Sequence, residues 1–239
     1  EISLGLVGSE MCIRDRFSTL NSAIADSGTG NGDTINITGT WTGDDTTAVT
    51  WNHSLTVTTD SESKVQQPHS GRTGGSYRLR PTSGHAITVS GDVTMKGVDV
   101  QNASTGVSDE VFRSNNGNDI TLTRCILGFA SEVDQQDIVY SDLDSASWAY
   151  SFESCIFYNV GRTVVDFYDA DSNTITINFN SCSSFNIGNQ GARANGCWVG
   201  GYSANSTVTI NMFNCLCHVL DWCVVNYNTD GTWTLNADY

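Results

Sequence analysis

The chain has 239 residues, with 11 basic and 26 acidic side chains and a formal net charge of −15. That balance excludes a nucleic-acid surface, whose phosphates would be repelled, and disfavours docking on an anionic membrane. No run of about 18 apolar residues occurs, so no membrane insertion is expected.

The composition leans towards strands and turns. There are 23 glycines, 2 prolines and abundant Thr, Ser and Asn. Long helices want Ala, Leu, Glu and Lys, and the chain has only Lys64 and Lys96 as lysines. Eight cysteines in a chain of this length do not reach the density of a disulfide-stapled module.

Residues 6–16 read LVGSEMCIRDR. They fit no fold element and resemble the translation of a transposon mosaic-end adapter from sequencing libraries. Residues 1–16, Cys12 included, are therefore set aside as an adapter-derived artefact in an environmental sequence. The natural N-terminus, with any signal peptide, is then expected to be missing.

Next comes FSTLNSAIADS, with Phe17, Leu20 and Ile24 on one helical stripe and Ala23 beside it. A short helix and its turn take 17–30. Ile35 and Ile37 then alternate as in a strand.

From residue 31 to 239 the chain repeats. Alignment on Cys125, Cys155, Cys182 and Cys215 puts Ile120, Tyr150, Ile177 and Ile210 five residues earlier. Leu122, Phe152, Phe179 and Met212 stand three earlier, and Leu127, Phe157, Ser184 and Cys217 two later. Val93, Met95, Val98 and Val100 form a preceding copy, and the spacings are 27, 30, 27 and 33 residues. Period-two alternation marks two strands, and the extra residue before each Cys marks a corner between them. A third strand follows in each copy: EVFRS (110–114), DIVYS (137–141), TVVDFY (163–168), CWVGGY (197–202) and CVVNYN (223–228). Asn102, Asn159 and Asn186 share one position, four residues after the column, and read as a partial asparagine ladder.

The helix-then-strand entry and this repeat resemble the right-handed parallel β-helices of the pectate-lyase-like superfamily, including phage and environmental viral members. The resemblance implies an all-β fold over 17–239: a right-handed parallel β-helix with three strands per coil and a short N-terminal capping helix. The C-terminus at 239 need not be the natural one.

Residues 212–223 read MFNCLCHVLDWC, and thiolates and imidazoles at such spacing can hold zinc. The repeat argues otherwise. Cys215 falls in the column of Val98, Cys125, Cys155 and Cys182, and Cys217 in that of Val100, Leu127 and Phe157. His218 then points away from Cys217. Core packing is the reading, with no metal and no cofactor, and a Cys197–Cys223 disulfide on successive coils is left open.

The third strand carries the candidate site. Phe112, Val139, Val165, Val199 and Val225 are expected to point inward, leaving Val111, Ile138, Val164, Trp198 and Val224 outward. Beside these stand Arg113, Tyr140, Asp166, Gly200 and Asn226, then Asp142, Tyr168, Tyr202 and Asn228. Exposed aromatics with polar neighbours suit sugar rings, so Tyr140, Tyr168, Trp198 and Tyr202 are the ligand-binding candidates. Asp137, Asp166 and Arg113 are the catalytic candidates, with Asp142 and Arg162 nearby; paired carboxylates can run glycoside hydrolysis. The same stripe also suits packing against identical chains in a homotrimer, or cover by a loop or a missing segment.

The resemblance implies two functions. One is a virion- or tail-associated structural or adhesive protein, glycan-binding and extracellular. The other is a secreted polysaccharide lyase or glycoside hydrolase. The first is favoured, because the Asp-rich calcium cluster of pectate lyases and the paired-Asp and Gly-His motifs of polygalacturonases are not recognisable.

Overall fold

A computed structural model describes residues 2–3, 16–38, 43–59, 77–115, 117–131, 135–143, 147–169, 173–188, 197–203, 205–219, 224–226 and 231–238. The chain is all-β apart from one short helix, and its strands form three sheets of 10, 7 and 6 members among the described residues.

In the first sheet Val93–Lys96, Ile120–Thr123, Trp148–Glu153, Thr174–Asn180, Thr207–Phe213 and Thr232–Asp238 lie side by side and parallel. The 6-stranded sheet stacks Arg78–Leu79, Asp99–Asn102, Ile126–Phe129, Ile156–Val160, Ser183–Ile187 and Leu216–Val219. The 7-stranded sheet runs from Val49–Trp51 through Ile87–Val89, Phe112–Ser114, Val139–Leu143, Thr163–Asp169 and Cys197–Ser203 to Val224–Asn226. From Val93 onward the chain visits the three sheets in rotation, so each return lays a strand on the one before. This repeat-like stack of parallel sheets fits a parallel β-helix.

The register makes columns. Ile120, Tyr150, Ile177 and Ile210 are neighbours, and the ladder that pairs Ile126, Ile156, Ser183 and Leu216 sets Cys125, Cys155, Cys182 and Cys215 in line. Inward residues of the first sheet are buried while the residues between them are partly or fully exposed, as along Val93–Lys96, Thr174–Asn180 and Thr207–Phe213. Phe152 stacks on Phe179 with centroids 5.0 Å apart, inside one continuous apolar core.

The corner before each cysteine has a single backbone solution. Gly97, Arg124, Ser154, Ser181 and Asn214 all take positive φ, between 52° and 68°. A non-glycine residue there costs about 1–2 kcal/mol. The cost is borne because each corner amide donates to the next rung: Arg124 N to Glu153 O at 2.8 Å, Ser154 N to Asn180 O at 2.8 Å and Ser181 N to Phe213 O at 2.9 Å.

The helix Leu20–Ile24 begins at Thr19 in a capping box with Ser22 and buries Leu20, Ala23 and Ile24. Its first amide is held by Asp45 Oδ2 at 2.8 Å, an oxygen that also accepts from Tyr77 Oη at 2.7 Å. The segment 1–16 is not wholly outside the sheets: Ile2–Ser3 pairs antiparallel with Arg16–Phe17 and touches Asn36. Met11, Ile13 and the rest of 4–15 lie outside the described residues.

Candidate functional site on the outer face of the 7-stranded sheet

The third strands depart from the expected alternation near their beginnings, over two consecutive residues. Val111, Ile138, Val164 and Trp198 were expected outside, yet all are 0% exposed, as are Phe112, Val139, Val165 and Val199. Near the beginning of each strand two consecutive side chains thus join the core. The register also shifts at the end: Val224, not Val225, pairs with Val199.

Trp198 therefore lies in the core and not on the outward face with Tyr168 and Tyr202. Its indole packs edge-on against Phe179 and Phe157, with centroids 4.9 and 5.6 Å away, and its Nε1 donates to Ser184 Oγ at 2.8 Å. That hydroxyl satisfies the one polar atom of a buried indole. Ser184 takes the place of an apolar residue in its column, and the indole fills the space it leaves.

Alternation then puts Arg113, Tyr140, Asp166 and Gly200 in one outward column, and Asp142, Tyr168 and Tyr202 in the next. Tyr168 and Tyr202 are 45% and 37% exposed and stack with centroids 5.0 Å apart and planes 10° from parallel. Tyr140 is half-buried beneath Arg113, whose guanidinium lies 4.3 Å from the ring centroid, with Arg162 at 5.9 Å on the same ring. Burial and the charges of Asp142 and Asp166 raise the Tyr140 hydroxyl above its usual value.

Two carboxylates, Asp137 and Asp166, meet at Arg162. Asp137 is 0% exposed and accepts from Arg162 Nε at 3.1 Å and Thr163 N at 3.0 Å. The Arg162 terminal nitrogen and Thr163 Oγ1 also donate to it. Four donors saturate this group, which ties Arg162 and Thr163 to the rung before them. Asp166 is 6% exposed and lies 2.5 Å from Arg162. Burial, then the charge of Asp137, pushes its carboxyl up to about 7 against the pull of Arg162.

A second cluster lies on the preceding rungs. Glu110, 1% exposed, sits 2.5 Å from His85 Nδ1 and 3.8 Å from Arg113, which reaches Asp142 at 3.4 Å. Asn102 fixes the backbone there, its Nδ2 donating to Gly84 O at 3.0 Å and Glu110 O at 2.9 Å. His85 and Glu110 were not singled out from the sequence. Their signal is positional: His85, Glu110, Asp137 and Thr163 all stand two residues before the column of Ile87, Phe112, Val139 and Val165.

The side chains of Cys217 and His218, and all of Cys223, lie outside the described residues, and with them the Cys197–Cys223 pairing. Asn226 is described only as backbone, and Asn228 lies outside. Among the described residues no group of three or more His, Cys, Asp or Glu is placed to hold a metal ion, and no helix is long and apolar enough to cross a membrane.

Fold and site together define a class: a repeat-like all-β protein of stacked parallel sheets with an outward strip of arginines, carboxylates and tyrosines. No family model, curated protein or solved structure matches the chain.

Proposed function

We propose that the chain is a glycan-contacting structural or adhesive protein, built as a right-handed β-helix of three strands per coil in the manner of the pectate-lyase-like superfamily. On this reading helix Leu20–Ile24 closes the first coil, and the protein works on a virion, a tail or another extracellular surface, in a homotrimer. The observation that carries the glycan reading is the exposed Tyr168–Tyr202 stack beside Asp142 and Arg113. It offers apolar ring edges, phenol hydroxyls and ionic hydrogen-bonding groups on one strip, which matches the mixed apolar and hydroxyl surface of a sugar chain.

The test is a Tyr168→Ala/Tyr202→Ala variant, run on immobilised polysaccharides and by size-exclusion chromatography. Lost retention at unchanged size supports the glycan strip. A shift from trimer to monomer with retention kept assigns the strip to subunit packing. Unchanged behaviour in both refutes the strip as the working surface.

A second reading rests on Asp166, whose carboxyl near 7 has the acidity of a general acid. It would make the strip the cleft of a hydrolase or lyase. The saturation of Asp137 weighs against it, since paired-carboxylate hydrolysis needs two groups that reach the substrate. Release of sugar ends by the wild-type protein, lost in Asp166→Asn, would establish this second reading over the first.

A further inference from the structure

The cysteine column carries an inference independent of the glycan strip. Cys125, Cys155 and Cys182 are buried on successive rungs, and Cys215, half-buried, ends the line next to Leu216, which is 70% exposed. The register sets the four side chains in one line, each a single rung from the next. Their partners include backbone carbonyls, such as Leu122 O at 3.4 Å from Cys155 and Phe152 O at 3.4 Å from Cys182. Packing alone does not require sulfur here, because Val98 fills the same column one rung earlier and is fully buried.

We propose that this column is a binding site for a soft metal dication of linear, two-coordinate habit, held between thiolates of successive rungs. Soft thiolates select soft cations over hard ones. Rungs of a parallel sheet stand about 4.8 Å apart. Two metal–sulfur bonds of about 2.3 Å, taking the zinc–thiolate length, span about 4.6 Å when laid end to end. Each thiol therefore needs only to relax to the spacing of its own backbone.

Three thiols cannot converge on one ion, because a column is a line, so the site does not offer a tetrahedral centre. Charge favours the dication as well. Two thiols and one dication give a neutral dithiolate and release two protons to solvent; no atom is oxidised or reduced. A neutral product suits an apolar core, where an unpaired charge would be expelled. Four thiols in line hold two ions, and Cys215 is the entry.

The probe is mercuric chloride, read by native mass spectrometry on the full chain. A bridged ion displaces two protons and carries no chloride, whereas an ion on a single thiol displaces one proton and keeps a chloride. The wild type should take up two more bridged ions than Cys155→Ala/Cys215→Ala, which leaves no adjacent thiols in the column. If that variant fails to fold by circular dichroism, Cys125→Val/Cys182→Val breaks every adjacent pair equally and is read the same way. No difference in bridged ions between wild type and variant, or chloride-bearing adducts in place of bridges, overturns the site.

Discussion

Asp137 and Asp166, one rung apart, share the guanidinium of Arg162, and the sharing is unequal. Asp137 has four donors, while Asp166 lies 2.5 Å from Arg162 with its carboxyl pushed up to about 7. Burial comes first in the rise at Asp166, with the charge of Asp137 and then that of Glu110 adding to it.

The first prediction is a pH dependence. Asp166 holds its proton more tightly in the fold than in the unfolded chain, where an Asp titrates near 3.9. Its contribution to stability is fully present below that value and is lost as the pH rises through about 7. The thermal midpoint should fall between pH 5 and pH 8, and Asp166→Asn should remove most of that fall. A variant as steep as the wild type would show that the carboxyl is ordinary.

Arg162 and Arg113 should differ sharply. Arg162→Gln strands two buried carboxylates, and breaking such a group costs about 3–5 kcal/mol. Arg113, 23% exposed at its side chain, pairs at 3.4 and 3.8 Å, and Arg113→Gln should cost about 1 kcal/mol or less. Denaturant melts of the two variants decide this, and equal losses would contradict the buried clamp.

Cys155 tests the column. Cys155→Asp puts an unpaired carboxylate in the core and should destabilise by about 3 kcal/mol or more. Cys155→Val should stay within about 1.5 kcal/mol, since Val98 occupies the equivalent place. Equal losses for the two substitutions in urea titrations would sink the register.

Trp198 and Tyr202, four residues apart on one strand, separate core from surface. Trp198→Ala should cost about 3–5 kcal/mol by emptying the space against Phe179, Phe157 and Ser184. Tyr202→Ala, at a side chain already 37% exposed, should cost about 0.5 kcal/mol. Tryptophan fluorescence during unfolding reads both.

Much of the architecture was legible in the sequence, and the reason is local. A strand alternates with period two, and parallel stacking repeats that pattern once per turn, so the columns through Ile120, Leu122, Cys125 and Leu127 stand out in a linear alignment. The irregular step before each cysteine was visible too, because a left-handed residue at the corner adds one position to the alternation. The tyrosines at 168 and 202 followed from the same counting.

The tertiary structure decided what counting cannot reach. Near the beginning of the third strand two neighbours both join the core, and both Val164 and Val165 suit burial, so residue type alone could not reveal the break. Trp198 went inside because Ser184, on another sheet, leaves room and supplies an acceptor for the indole. Arg162 reaches Asp137, 25 residues earlier in sequence, as well as Asp166 beside it, while Glu110 finds His85 by the same stacking. Periodicity along one strand fixes which way a side chain points; the neighbours it meets, and hence its charge state and burial, depend on strands that only the closed fold brings together.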